Sequence, residues 1–189
     1  MERALIVSRT EKSIAYFTEL LVAASVTHIT TLPSCTEARR LILERDFDLV
    51  IINAPLKDET GESLSRHIAS KGLSQVILVV KAEFFDAVSA ICEVDGVLTI
   101  AKPMNKAIFW SALMLAKSAQ NRIKRMQAEN TKLTQTIEDI KIVNKAKYIL
   151  ISQLNMSEQD AHKYIEKQAM DTRSAKRVIA ENIIKTYKN

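Results

Sequence analysis

Eight residues near the C-terminal end are equipped to meet a polyanion: Lys145, Lys147, Lys163, Arg173, Lys176 and Arg177, with Tyr148 and Tyr164 among them. Lysine and arginine neutralise phosphates, a term that dominates nucleic-acid affinity. A tyrosine ring can stack on an unpaired base. A second group, Ser8, Asn53, Lys81 and Lys102, closes or follows apolar runs in the first part of the chain. No nucleophile–base pair and no Gly-rich phosphate loop is present, which argues against an enzyme. His28, His67 and His162 stand apart, with no Cys or acidic partner at ligand spacing, so neither a metal site nor a cofactor is expected.

The charge is divided unevenly along the 189 residues. Residues 1–118 hold 13 Lys/Arg against 14 Asp/Glu, and residues 119–189 hold 14 against 8. A neutral first part and a basic second part suggest two jobs, the second directed at a polyanion. An apolar content of 47% can build a core, and only 3 Gly and 3 Pro exclude collagen, Pro-rich and Gly-linker compositions. No apolar run approaches a membrane span, and no signal peptide is read at the start. Cys35 and Cys92 lie in apolar periodic segments, as expected of buried free thiols in a cytoplasmic protein.

These residues must be positioned by elements that the periodicity predicts. Ala4–Val7, Thr27–Leu32, Asp48–Asn53, Val76–Val80 and Val97–Ile100 are short apolar or β-branched runs, the pattern of strands covered on both faces. Helical spacing occupies Glu11–Ala24, Thr36–Arg45, Gly61–Lys71 and Phe84–Glu93. Strand–helix alternation predicts one parallel sheet with helices on both faces. In such a sheet the site lies at the strands' C-terminal ends, so Ser8, Asn53, Lys81 and Lys102 should cluster.

Ala4-Leu5-Ile6-Val7, the run Asp48-Leu49-Val50-Ile51-Ile52-Asn53-Ala54-Pro55-Leu56 with Gly61, and Lys102-Pro103 resemble the receiver domain of bacterial two-component response regulators over about residues 1–118. The resemblance implies an α/β doubly wound, five-stranded, flavodoxin-like fold. It also implies an acidic Mg²⁺ pair after the first strand, a phosphorylated Asp after the third, a Thr or Ser after the fourth and a Lys before Pro after the fifth. Here Ser8 and Arg9 replace the acidic pair, Asn53 stands at the phosphoacceptor position, Val80 at the Thr/Ser position and Thr99 at the aromatic switch position. Only Lys102 matches. An amide is not the nucleophile a carboxylate is, and Mg²⁺ wants carboxylate oxygens. The first part therefore reads as a non-phosphorylatable receiver, with Arg9 adding positive charge to the pocket and Lys102 pairing with Asn53 or a nearby carboxylate.

From Met104 no Gly or Pro occurs. Phe109, Ala112, Ala116, Ala119, Ile123, Met126, Asn130, Leu133, Ile137, Ile140 and Asn144 alternate gaps of three and four, an a/d heptad. One helix over about 104–154 would be roughly 75 Å long. Its segment of about 109–144 is expected to form a homodimeric coiled coil, with Asn130 and Asn144 at a-positions to fix register. Ile123, Met126, Leu133, Ile137 and Ile140 would form the rest of the contact. Helix direction stays open.

Ser157 then looks like an N-cap, Asp171-Thr172-Arg173-Ser174 a break, and Ala175–Ile183 a final helix. The residues Ala146-Lys147-Tyr148-Ile149-Leu150, Ser157-Glu158-Gln159-Asp160-Ala161, Ala169-Met170-Asp171-Thr172-Arg173, Val178-Ile179-Ala180 and Ile183-Ile184 resemble the ANTAR domain, the RNA-binding module of bacterial transcription antitermination regulators. Tyr148 stands where that family has Gly, and His162 where it often has an aromatic. The resemblance implies a three-helix RNA-binding domain over 130–189, with Lys147 and Arg173 as foremost contacts and the alanines as packing residues. Together the two resemblances imply an antiterminator that holds leader stem-loops as a dimer, under the control of a partner protein or of expression level. The competing readings are a DNA-binding response regulator and a coiled-coil adaptor.

Overall fold

The computed structural model describes residues 1–187. They form two compact units, Met1–Arg125 and Met126–Asn189, each considered by itself below.

The first unit holds five strands, β1 (Arg3–Ser8), β2 (His28–Leu32), β3 (Leu49–Asn53), β4 (Gln75–Lys81) and β5 (Leu98–Lys102). They pair in parallel in the order β2-β1-β3-β4-β5. Every residue of β3 is buried, the consequence of helices on both faces. On one face Leu5, Val7, Val50, Ile52, Leu78 and Val80 pack against α2 (Cys35–Glu44), α3 (Glu62–Ser70) and α4 (Phe85–Cys92). On the other, Ala4, Ile6, Ile51, Ile77 and Val79 meet α1 (Glu11–Ala23) and the start of α5 (Lys106–Leu154). Phe17 of α1 and Phe109 of α5 lie 5.3 Å apart between ring centres. Each such fully buried aromatic contributes about 2 kcal/mol. Cys35 and Cys92 are free and buried, and burial pushes the Cys35 thiol up to about 12.

The strand order reverses between β1 and β3, so a crevice opens where Ser8 and Asn53 face each other in register. Gly61 makes the turn into α3 at φ +87°, where a Cβ would meet Ile52 Cγ2 at 2.7 Å. The sheet-bearing unit runs on past residue 118 because α5 is tied to the segments that lead into β3 and β4, at the other end of the strands from the crevice. Gln120, buried, donates to the Leu73 carbonyl at 3.0 Å. Lys124 pairs with Asp48 at 2.8 Å.

The second unit contains the C-terminal part of α5, then α6 (Glu158–Asp171) and α7 (Lys176–Thr186). Ser157 caps α6, its Oγ accepting from the Asp160 amide at 3.1 Å. The core is Ala146 and Leu150 of α5, Ala161, Ile165 and Ala169 of α6, and Ile179, Ala180 and Ile183 of α7. Ala146, Ala161 and Ala180 are fully buried there, side chains small enough for helices to approach closely. Among the described residues no helix is long and apolar enough to cross a membrane.

Candidate functional site

The crevice of the first unit is assembled from strand ends. Asn53 Nδ2 donates to Ser8 Oγ at 3.0 Å, and both residues are buried. The amide and hydroxyl satisfy each other where an acidic pocket would hold a cation. Val80 is buried and offers no hydroxyl. Thr99 Oγ1 is buried with no hydrogen-bond partner among the described residues. Arg9 is exposed. Lys102 departs from the expected pairing. Its Nζ donates to the Ala54 carbonyl, while the acids of the loop after β3 are engaged elsewhere. Asp58 accepts from the Cys35 and Thr36 amides at the start of α2, at 3.1 and 2.8 Å. Glu59 pairs with Arg39 at 2.8 Å.

In the helical unit the cations divide into two sets. Lys147 pairs with Glu158 at 3.1 Å, and only 16% of its side chain is exposed. Lys176 pairs with Glu166, which His162 also approaches at 3.2 Å. Arg177 bridges Asp139 and Glu181, both at 2.8 Å. The Lys176 hydrogen bond and the nearby His162 hold the Glu166 carboxyl below its ordinary range. Donation from Gln135, then from Arg177, does the same for Asp139. Lys145, Lys163 and Arg173 are exposed and carry no ion pair among the described residues. Tyr148 is 70% exposed and Tyr164 40%, so neither ring is consumed by the core. Arg173 follows α6 at φ +50°, a left-handed conformation that a side chain adopts at some cost. Exposed cations can neutralise phosphates and exposed aromatic rings can stack on bases.

Residues 131–184 match the family model of the ANTAR domain. The chain is 28% identical over 139 residues to the transcriptional regulatory protein PdtaR of Mycobacterium tuberculosis, in strains CDC 1551 / Oshkosh and ATCC 25618 / H37Rv, covering 74% of this chain and 68% of that protein. The first unit is similar to the signal receiver domain of an HD-domain-containing protein from Pseudomonas fluorescens Pf-5, at 24% identity and TM-score 0.57 over 66% of this chain and 94% of that one. It is also similar to a CheY-like receiver domain from Methylobacillus flagellatus, at 22% identity and TM-score 0.52 over 61% and 98%. These structural likenesses establish the fold. The chain combines a receiver fold with an ANTAR domain.

The ANTAR domain leaves one face of α5 unpartnered. Met126 is 63% exposed, Leu133 62%, Ile137 53% and Ile140 54%, with Asn130 and Asn144 also exposed and Ile123 half-buried. The heptad's first members differ: Phe109 and Ala116 belong to the core of the receiver unit, with Leu113 beside them. The stripe open to a second helix therefore begins near Ile123 rather than at 109. The sequence reading missed Asp139, Glu158, Glu166 and Glu181, which hold three of the expected contact cations. Only Arg177–Glu181 carried a local signal, the i,i+4 spacing.

Proposed function

We propose that two copies pair through the stripe from Ile123 to Asn144 and that each ANTAR domain holds one stem-loop of a leader transcript. The held stem-loops cannot contribute to a terminator hairpin, and polymerase reads on. The observation that carries this reading is an exposed apolar stripe from Met126 to Asn144 in the unit that also exposes Lys145, Lys163 and Arg173. A row of large apolar side chains at a/d spacing favours burial against a like helix, and asparagines at a-positions favour a defined register. The cations supply phosphate neutralisation, while Tyr148 and Tyr164 supply stacking on loop bases. Lys147, Lys176 and Arg177 join them only by exchanging a carboxylate for a phosphate.

The receiver fold in this reading takes no phosphoryl group. Asn53 presents an amide, and Ser8 with Arg9 gives Mg²⁺ no carboxylate. Control then lies with a protein partner or with the amount of protein made.

A gel-shift titration tests the reading. Purified protein should bind a tandem stem-loop RNA and leave duplex DNA of the same sequence unbound at matched salt. Equal binding to duplex, or no binding to hairpin RNA at concentrations where the protein is fully paired, overturns it.

A further inference from the structure

The surplus positive charge of this chain is concentrated ahead of the ANTAR match. Residues 131–184 hold 9 Lys/Arg against 7 Asp/Glu, whereas residues 117–130 hold 4 against 1. Those four are Lys117, Arg122, Lys124 and Arg125, on the stretch of α5 that closes the receiver unit. In the ANTAR domain Lys147, Lys176 and Arg177 are spent on carboxylates. On this stretch of α5 only Lys124 is, through its pair with Asp48.

Gln120 fixes which side of the helix faces the sheet, since it is buried and donates to the Leu73 carbonyl. A turn of about 100° per residue carries Arg122 and Arg125 to the other side, and both are exposed. Lys117 is half-buried. Among the described residues Lys117, Arg122 and Arg125 form no ion pair, and Glu129, one turn beyond Arg125, does not reach it. Leu73 also lines a cleft with exposed Arg45 and Lys71, where Asp46 is the only acid.

Unpaired cations on one side of a helix repel each other, and a polyanion relieves that repulsion. The planar guanidinium fork matches phosphate oxygens. Lys117 to Arg125 covers about 12 Å of helix, the reach of about three phosphates along one strand. Residues 111–147 contain no aromatic side chain, so this surface offers phosphate contacts without base stacking.

We propose that this end of the receiver unit is a second RNA contact. Lys117, Arg122 and Arg125 hold the phosphate backbone of a single strand, with Arg45 and Lys71 at the margin, and the contact is indifferent to base sequence. In setting it on the strand that flanks a held stem-loop, the proposal rests on the RNA reading above. The phosphate contact itself does not, since every residue in it belongs to the receiver unit.

Fluorescence anisotropy with full-length protein and three RNAs tests this. The RNAs are a bare stem-loop, the same stem-loop with an unstructured flank of about ten nucleotides, and the flank alone. The flank should strengthen binding about fivefold or more at low salt. Arg122→Ala with Arg125→Ala should remove that gain and lower the slope of log affinity against log salt on the flanked RNA by about one to two. Binding of the bare stem-loop and the melting temperature should change little. The flank alone should bind the parent weakly and lose affinity in the double variant. A flank that adds nothing overturns the proposal, as does an equal loss on bare and flanked RNAs. Polyglutamate binding as tightly as a flank of matched charge would assign the surface to an acidic protein and overturn it as well. A parent that ignores the bare stem-loop, yet binds the flank through these two arginines, would strike the ANTAR reading and leave this contact standing.

Discussion

Asn53 donates its amide to the Ser8 hydroxyl at 3.0 Å inside a buried crevice. In the proposed reading this neutral pair stands in for an acidic pocket. Incubation with acetyl phosphate and Mg²⁺ should leave the intact mass unchanged. Asn53→Asp alone should not restore the reaction, because Ser8 and Arg9 still supply no Mg²⁺ ligands of the needed charge. A gain of one phosphoryl group on the unaltered chain would refute the non-phosphorylatable reading.

At the N-terminal end of β3 Asp48 ties α5 down. Burial by itself would raise its carboxyl, but donation from the Glu2 amide, Lys124 and the Arg3 amide outweighs this and brings it to about 2. A lowered folded-state value means that stability is present above the unfolded value and lost as pH falls through the folded one. The contribution, about 2 kcal/mol, should therefore fade between about pH 4 and pH 2. Asp48→Asn should cost the receiver unit about 1–2 kcal/mol in urea unfolding at pH 7, with the deficit shrinking across that window.

Ile137 and Ile140 lie in the exposed stripe. Ile137→Asp with Ile140→Asp should give a monomer by light scattering and reduce affinity for tandem stem-loop RNA by about tenfold or more, through lost avidity. The stability of the receiver unit should be unchanged, since neither residue belongs to it. A double variant that remains dimeric would show that the stripe is not the contact.

The cations of the ANTAR domain should separate by experiment. Alanine at Lys145, Lys163 or Arg173 should each lower the slope of log affinity against log salt by about one. Alanine at Arg177 should instead lower the melting temperature of the domain, because Asp139 and Glu181 lose their shared partner. Equal salt slopes for all four variants would contradict the division into paired and unpaired charges.

Gly61 is required by geometry. A left-handed φ of +87° and a contact at 2.7 Å from a new Cβ to Ile52 Cγ2 both oppose a side chain. Gly61→Ala should destabilise the receiver unit by about 1–3 kcal/mol in chemical unfolding.

Much of the architecture was legible in the amino-acid order. Strands buried on two faces appear as unbroken apolar runs, as in Leu49–Ile52, and the helices between them carry one apolar face. The missing carboxylates at positions 8, 9 and 53 are facts of residue type and need no coordinates. The alanines of the ANTAR match also read correctly as packing, since Ala146 and Ala161 are fully buried and Ala169 is buried.

The sequence by itself determined the order of elements, the basic second part and the heptad, because these rest on local spacing along one chain. Tertiary structure decided which charges are free. Lys147 meets Glu158 across 11 positions and Arg177 meets Asp139 across 38, pairings that no helical period announces. It also decided how far the heptad is available, since Phe109, Leu113 and Ala116 are spent on the sheet before the stripe emerges. Periodicity reports which residues share a face. What covers that face depends on elements distant in the chain, and only folding brings them together.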